Sequence, residues 1–342
     1  MRVVIKIGTS TLAHPTGHLN IRRVEELCKV ISDIKNAGNE VILKAAEESG
    51  FQLNQNAKQL KQQHGTSIMV VAKGVSNELF SMLVEALQTR IAATRYPLVV
   101  DYVDEKDNEV RKALQLCREK KPLGILFLGG NQSHFLEDFS KIHVPCVLVT
   151  NTASGLPFGN LASVSSNDSL SGRMAIDHLV SLGHRHFAVV GGDRDNSDIV
   201  CLRYQGCLEA FRKHGIAFDP EQDYETARFS YADGYRATKQ LMKRGREFTA
   251  LFCMSDVMAI GAIRALRDAG KRVPEDVSVM GLDGLAMGEY TVPKLATVCQ
   301  NVDALAETAI ELLLDQIENK SPAQHITVPV CMEWRESARH ID

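Results

Sequence analysis

Two aspartates stand where apolar stretches with the composition of buried parallel strands come to an end. Asp256 follows the apolar run at 250–254, and Asp283 lies just beyond the run at 277–281. The carboxyl ends of parallel strands are where open α/β sheets bind ligands, so the spacing indicates a binding site for a small molecule. Ser255 and Asp256 are also typical helix N-caps, and Asp283 precedes a glycine as in a turn. Either aspartate could therefore be purely structural.

Other arrangements that could do chemistry are weaker. His178 falls in a helical pattern and His184 in a Gly-His-Arg turn next to His186, which argues against a metal site. The sequence has no Gly-x-Ser-x-Gly elbow and no Walker loop, and Gly191-Gly192 ends a strand without a dinucleotide fingerprint. We therefore expect no catalytic residue, no metal and no cofactor.

Composition and charge are those of an ordinary globular protein. The net charge of −3 argues against wholesale coating of nucleic acid. The eight cysteines form no Cys-x-x-Cys pair and are expected to be buried free thiols in a reducing compartment. No apolar run reaches membrane-spanning length, and the apolar start is too short for a signal-peptide core. These features predict a cytoplasmic protein without a membrane partner.

Strand–helix units repeat from Thr66 to about Ala296. The candidate strands are 67–72, 97–101, 123–128, 145–149, 186–191, 249–253 and 276–281. Helical patterns of ten or more residues lie between most of them. This alternation predicts an α/β fold of parallel sheets with helices on both faces.

Several longer motifs carry a resemblance to a known family. They are TALFCMSDVMAIGAIRALRDAGKRVPEDVSVMGLD (249–283), HLVSLGHRHFAVVGG (178–192), RYQGCLEAFRKHGI (203–216), GTSIMVVAKGVSNELFSMLVEAL (65–87) and the closing strand WRES (334–337). From about Lys44 to His340 the chain resembles the LacI/GalR family of transcriptional regulators. The resemblance implies a two-lobed, periplasmic-binding-protein-like effector domain at 66–340. Its N-lobe would hold about 66–163 and 299–326, and its C-lobe about 164–298 and 327–340, joined by three crossings.

The family binds small effectors, commonly sugars or their phosphates and sometimes purines, in the cleft between the lobes. The resemblance implies the following effector-binding residues: Arg203, Asp283, Ser255, Asp256, Asn167, Asp168, Phe229, Leu79 and Phe80. Arg203 and Asp283 match ligand residues, and Phe229 matches an aromatic wall. Arg203 could instead form a surface ion pair, and Phe229 could belong to the core.

Residues 44–65 resemble the end of the family's DNA-binding headpiece and the start of its hinge helix. In the family, a leucine of that helix wedges between base steps in the minor groove. The resemblance implies hinge contacts from Leu60, Ala57, Asn56, Asn54 and Lys61. The alternative is a polar linker that stays disordered without a partner.

Residues 1–43 do not resemble the helix-turn-helix that opens a family member. Their pattern predicts a strand (3–7), a helix (21–36) and a second strand (40–43), and it resembles the first βαβ unit of glutamate 5-kinase. The resemblance places Lys6, Gly8, Thr9 and Ser10 in a phosphate-binding loop, but it stops at Leu43, so we expect no kinase activity.

The whole sequence therefore predicts a homodimeric LacI-family regulator with a sugar-like effector and impaired binding to a DNA operator. Two alternatives stay open: a ligand-binding protein without a DNA role, and a fusion with residual glutamate 5-kinase character. The sequence does not distinguish a natural fusion from an artificial joining.

Overall fold

The computed structural model describes residues 2–3, 21–37, 40–41, 65–74, 77–195 and 197–341. The chain divides into two compact units, residues 1–63 and 64–342. The hinge residues inferred from the resemblance lie outside the described residues, as do the loop residues assigned to a phosphate site. They are Leu60, Ala57, Asn56, Asn54 and Lys61 for the hinge, and Lys6, Gly8, Thr9 and Ser10 for the loop.

The first unit contains the predicted order of strand, helix and strand. Strand β1 (Arg2–Val3) pairs in parallel with β2 (Glu40–Val41), and helix α1 (Ile21–Asn36) connects them along the chain. The remaining parts of the two predicted strands, 4–7 and 42–43, lie outside the described residues.

The second unit consists of two lobes, each built on a six-stranded sheet. In the N-lobe all strands are parallel, in the order β4-β3-β5-β6-β7-β13. Its strands are β3 (Ile68–Lys73), β4 (Leu98–Val103), β5 (Gly124–Leu128), β6 (Cys146–Val149), β7 (Leu161–Ser166) and β13 (His325–Val328). Its helices are α2 (Glu78–Ile91), α3 (Glu109–Lys120), α4 (Gln132–Asp138) and α10 (Val302–Glu318).

The C-lobe sheet has the order β9-β8-β10-β11-β12-β14, and only β14 runs antiparallel to its neighbour among these described strands. Its strands are β8 (Phe187–Gly191), β9 (Tyr224–Thr226), β10 (Ala250–Cys253), β11 (Ser278–Asp283), β12 (Ala296–Cys299) and β14 (Cys331–Glu333). Its helices are α5 (Asp168–Ser181), α6 (Asp198–Lys213), α7 (Pro220–Asp223), α8 (Tyr231–Lys243) and α9 (Asp256–Asp268).

Both faces of each sheet are covered by helices, as a parallel sheet requires. Apolar side chains form two buried clusters in each lobe, one on either side of the sheet. Polar side chains fix the helix starts. Asn77, Asn108, Asn131, Asn167 and Asn301 each accept a hydrogen bond from a backbone N–H in the first turn of the helix that follows.

The chain passes between the lobes three times, after β7, after β12 and after β13. The lobe boundaries expected from the resemblance put the first crossing after residue 163 and the third after residue 326. In the structure the crossings follow Ser166 and Val328, because β7 and β13 stay paired as far as these two residues. The second crossing follows Cys299, next to the expected boundary.

The prediction that WRES (334–337) is the closing strand is wrong, because the strand is Cys331–Glu333. Ser337 lies where two other strands begin. Its backbone oxygen accepts a hydrogen bond from the Val279 N–H, and its hydroxyl accepts one from the Ala296 N–H. Ser337 therefore fastens the C-terminal segment to β11 and β12.

Candidate effector-binding site

Arg203 lies on α6 and points into the C-lobe, where it is only 3% exposed. Its Nε donates to Asp168 Oδ1 at 2.8 Å, and its Nη1 donates to the Met254 carbonyl at 2.7 Å. The alternative of a surface ion pair is therefore wrong. Within the described part of the chain, Nη2 has no hydrogen-bond partner, so one face of the guanidinium can still donate to a ligand.

The close approach of α5 and α6 explains how Arg203 reaches Asp168. A Cβ on Gly206 would stand 1.9 Å from the Ser169 carbonyl, and one on Gly172 would stand 2.1 Å from the Arg203 carbonyl. Glycine at both positions lets the two helix backbones touch. Burial raises the pKa of Asp168, and the adjacent Arg203 guanidinium opposes that rise.

Asp283 ends β11 with a φ of 134°, a conformation that non-glycine residues rarely adopt. Its Oδ1 accepts from Gln300 Nε2 at 2.9 Å, and its carbonyl accepts from the Gln300 N–H at 3.0 Å. Burial raises the pKa of Asp283 to about 7; Arg203 lowers it and Asp256 raises it further. Oδ2 has no hydrogen-bond partner among the described residues.

Asp256 has a different role from the helix cap that the sequence suggested. Its carboxylate accepts hydrogen bonds from the Gly284 N–H at 2.9 Å, the Leu285 N–H at 2.7 Å and the Thr297 hydroxyl at 2.6 Å. It caps the loop after Asp283 rather than its own helix, and burial raises its pKa to about 6. The cap of α9 is Ser255, which accepts from the Met258 N–H at 3.3 Å.

Asn167 and Asp168 follow the first crossing. Asn167 caps α5 by accepting from the Leu170 N–H at 2.9 Å, while Asp168 orients Arg203. Both line a cavity of about 310 Å³ between the lobes. Its other lining residues are Gln132, Asn151, Thr152, Ser154, Ser165, Ser166, Ser169, Asp198, Ile199, Leu202 and Thr327.

The sequence prediction missed the N-lobe side of this cavity. Thr150, Asn151 and Thr152 follow directly after the strand predicted at 145–149, so their position at a carboxyl strand end was a usable signal. Ser165 and Ser166 belong to β7, which was not predicted. Arg203 and Asp283 do not line the cavity in this structure.

The three apolar residues of the predicted site, Leu79, Phe80 and Phe229, pack into the cores of the lobes. Leu79 and Phe80 are 4% and 7% exposed and belong to the N-lobe core. A Cβ on Gly129 would stand 2.8 Å from the Phe80 ring. Their contact with the effector stays a prediction, since Arg203 and Asp283 are buried to a similar degree. Phe229 is half-buried and packs against both apolar clusters of the C-lobe, which agrees with the core alternative.

Direct contacts join the two lobes across the cleft. Arg228 of the C-lobe donates from Nε to Glu105 at 3.0 Å and from Nη2 to Asp104 at 3.3 Å, both in the N-lobe. The Tyr231 hydroxyl donates to Glu78. These contacts hold the lobes together in the conformation seen here.

His184 is a structural residue. Its Nδ1 lies 3.0 Å from the Thr249 hydroxyl and its Nε2 lies 3.0 Å from the Ser278 hydroxyl. His178 contacts the Trp334 ring instead, with ring centroids 3.8 Å apart.

In the described ranges no helix is both long and apolar enough to cross a membrane.

Two sheets, one parallel and one parallel except for its edge strand β14, joined by three crossings around a cleft, define a periplasmic-binding-protein-like effector domain. Residues 176–338 match the family model of the periplasmic binding protein-like domain. The HTH-type transcriptional regulator MalR of Clostridium butyricum is 30% identical over 312 residues, which cover 90% of this chain and 92% of the relative. The chain belongs to the LacI family of transcriptional regulators, and it is a regulator rather than an enzyme.

Two further relatives are similar over most of the chain. The ribose operon repressor of Haemophilus influenzae is 27% identical over 338 residues, 97% of this chain and 95% of the relative. The crystal structure of a LacI family regulator from Enterococcus faecium with bound ribose has a TM-score of 0.71 and 26% identity, and covers 81% of this chain and all of the other.

Proposed function

We propose that this LacI-family regulator senses a sugar-like small molecule held between its lobes by Arg203 and Asp283. One observation carries the proposal. Both side chains are buried and charged or titratable, and each keeps one polar atom without a partner among the described residues. In the described part of the chain Gln316 Oε1 is the one fully buried side-chain N or O atom without a partner, so these two atoms are still within reach of water, and a ligand in the cleft can replace that water.

The chemistry of the pair suits a polyol. A guanidinium edge and a carboxylate oxygen can bind neighbouring hydroxyls of a sugar, one as donor and one as acceptor. With a pKa of about 7, Asp283 can act as acceptor or donor near neutral pH. The cavity beside them adds serine, threonine and asparagine side chains and has a volume in the lower range of small-molecule sites.

Ribose is the first probe to test. The ribose operon repressor and the ribose-bound regulator of Enterococcus faecium both exceed 25% identity with this chain. Isothermal titration calorimetry with ribose, a disaccharide and a sugar phosphate would measure affinity. Arg203→Lys keeps the buried charge but loses the planar fork of donors, so we expect affinity to fall at least about tenfold, or 1.4 kcal/mol.

The control is Arg212→Ala, an exposed position on the same helix. It should bind the probe like the unaltered chain. Unchanged affinity in both Arg203→Lys and Asp283→Asn, for a probe that binds the unaltered chain, would remove these residues from the site. Binding of none of the three probes would count against a sugar-like effector.

We also propose that operator binding is impaired. The support is that the described residues between 2 and 41 run strand, helix, strand, with one helix described where a helix-turn-helix needs two. The same order agrees with the likeness of residues 1–43 to glutamate 5-kinase. One observation favours an intact reading head instead. The match to the ribose operon repressor covers 97% of this chain, so the match extends into residues 1–43. Direct DNA-binding measurements separate these possibilities.

A homodimer is the expected assembly. Met287, Tyr290 and Val292 are 49%, 81% and 73% exposed on one short stretch of the C-lobe. Grouped exposed apolar side chains are typical of surfaces that bind another protein, and a second copy of this chain fits a two-fold interface. Sedimentation velocity should show a dimer for the unaltered chain. At the same concentration, Tyr290→Glu should show a smaller fraction of dimer.

A further inference from the structure

Two cysteines face each other at the edge of the C-lobe sheet. Strands β12 and β14 are antiparallel, and their register places Cys299 directly opposite Cys331. Opposed residues on antiparallel strands have Cα atoms about 4.5–5.5 Å apart, a separation that a disulfide can span. The two thiols are free in this structure, and their side chains interact with each other.

The two thiols differ in accessibility. Cys331 is exposed, whereas Cys299 is 6% exposed and lies against Gly284, where an added Cβ would stand 2.9 Å from its Sγ. Burial, together with Glu333 and Cys331, raises the pKa of Cys299. An oxidant therefore reaches Cys331 first, and Cys299 is placed to attack the oxidised sulfur.

Each cysteine borders a crossing between the lobes. Cys299 ends β12 directly before the second crossing, and Cys331 begins β14 directly after the third. Gln300, the next residue after Cys299, donates to Asp283 and accepts from the Ser166 hydroxyl at 3.1 Å. A covalent bond between the cysteines would therefore join two crossings beside Asp283.

We propose that Cys299 and Cys331 form a reversible disulfide when the protein meets a hydroperoxide or a small disulfide, and that this bond fixes the second and third crossings to each other. Movement of two lobes needs backbone torsion changes in a few connecting residues. A bond across two of the three connections removes part of that freedom. The proposal does not depend on which effector binds.

The chemistry balances with either oxidant. The Cys331 thiolate attacks one oxygen of a hydroperoxide, the O–O bond breaks, and the cysteine becomes a sulfenic acid while water or an alcohol leaves. The Cys299 sulfur then attacks the sulfenic sulfur, the S–O bond breaks, and water leaves with the thiol proton. With a small disulfide, two exchange steps release two small thiols. In both cases two thiols lose two electrons and two protons in total.

The test uses the full chain with hydrogen peroxide and with glutathione disulfide. We expect the number of free thiols per chain to fall from eight to six on oxidation and to return to eight after reduction with dithiothreitol. Trypsin places the two cysteines in separate peptides, 295–320 and 321–335, so mass spectrometry identifies the linked pair directly. Cys331→Ser, at an exposed position, should abolish the linked peptide.

The matched control is Cys117→Ser. Cys117 is half-buried and lies near the buried Cys146, so this pair is the alternative site of oxidation. The control should still give the 299–331 link. Amide hydrogen exchange at 299–303 and 328–331 should slow in the oxidised chain. Eight persisting thiols, a glutathione adduct on Cys331 with Cys299 free, a link between chains, or unchanged exchange would each overturn the proposal.

Discussion

Arg203 and Asp168 form an ion pair between neighbouring helices of the C-lobe, with Nε 2.8 Å from Oδ1, although they are only 3% and 5% exposed. The pair is contributed by α6 and α5, whose backbones touch at Gly206 and Gly172. Its geometry holds the guanidinium still while leaving Nη2 without a partner among the described residues.

Removing Asp168 should destabilise the fold strongly. Asp168→Ala leaves the buried Arg203 charge without its carboxylate, and breaking a buried pair in this way costs about 3–5 kcal/mol. Urea denaturation followed by circular dichroism measures the loss. Asp303→Ala removes the 82%-exposed partner of Arg90 and should change stability by less than about 1 kcal/mol. Equal losses in both variants would contradict this account.

Asp283 should make stability fall as pH rises. Its folded-state pKa of about 7 lies above the usual value, so the folded protein holds this proton at pH values where the unfolded chain has released it. Between about pH 4 and pH 7 the folded state binds more protons, and the free energy of unfolding therefore decreases with increasing pH.

Asp283→Asn removes this dependence, and asparagine tolerates the positive φ better than most residues. The difference in free energy of unfolding, variant minus unaltered chain, should increase by on the order of 1 kcal/mol or more from pH 5 to pH 8. Parallel urea titrations at the two pH values give the difference. A constant difference between the two proteins would show that Asp283 has an ordinary pKa.

Gly206→Ala should separate α5 from α6. The added Cβ would stand 1.9 Å from the Ser169 carbonyl, a backbone atom that cannot rotate away. Overpacking of this kind costs about 1–3 kcal/mol or more, and the displaced Arg203 should bind effector less tightly. Gly155→Ala, whose Cβ meets nothing within 4 Å, is the control and should be close to neutral. Thermal melts would distinguish the two.

Sequence-specific DNA binding should be weak. Major-groove contacts supply about 1–3 kcal/mol of discrimination for each bidentate pair, and α1 is the one helix described within residues 2–41. Mobility-shift titrations with palindromic and random duplexes at physiological salt should give similar, salt-sensitive affinities. Nanomolar and selective binding would show that the N-terminal unit does read DNA.

The strand pattern was predictable because buried parallel strands are continuous apolar runs. All seven strands predicted between residues 67 and 281 occur, each with ends displaced by at most two residues. β7 was missed because its sequence, LASVSS, is half serine. β9, β12, β13 and β14 were also missed, and each has only three or four residues in which a pattern could show.

The positions of the site residues were predictable, but some of their roles were not. Asp283 was placed correctly at a strand end by local pattern alone. The role of Asp256 depends on Thr297, 41 positions away, and on two N–H groups of a loop, which no local pattern reveals. The burial of Phe80 depends on the missing side chain of Gly129, again a contact made only by the folded chain.

The three crossings also bear on the order in which the protein can be assembled during translation. Helix α10 and strand β13 complete the N-lobe, yet they follow the last parallel strand of the C-lobe in the chain. Until Val328 has left the ribosome, β7 is an uncovered edge strand, and such edges invite pairing with other chains. The C-lobe therefore reaches near-completion first, and the lobe that begins the domain is finished almost last.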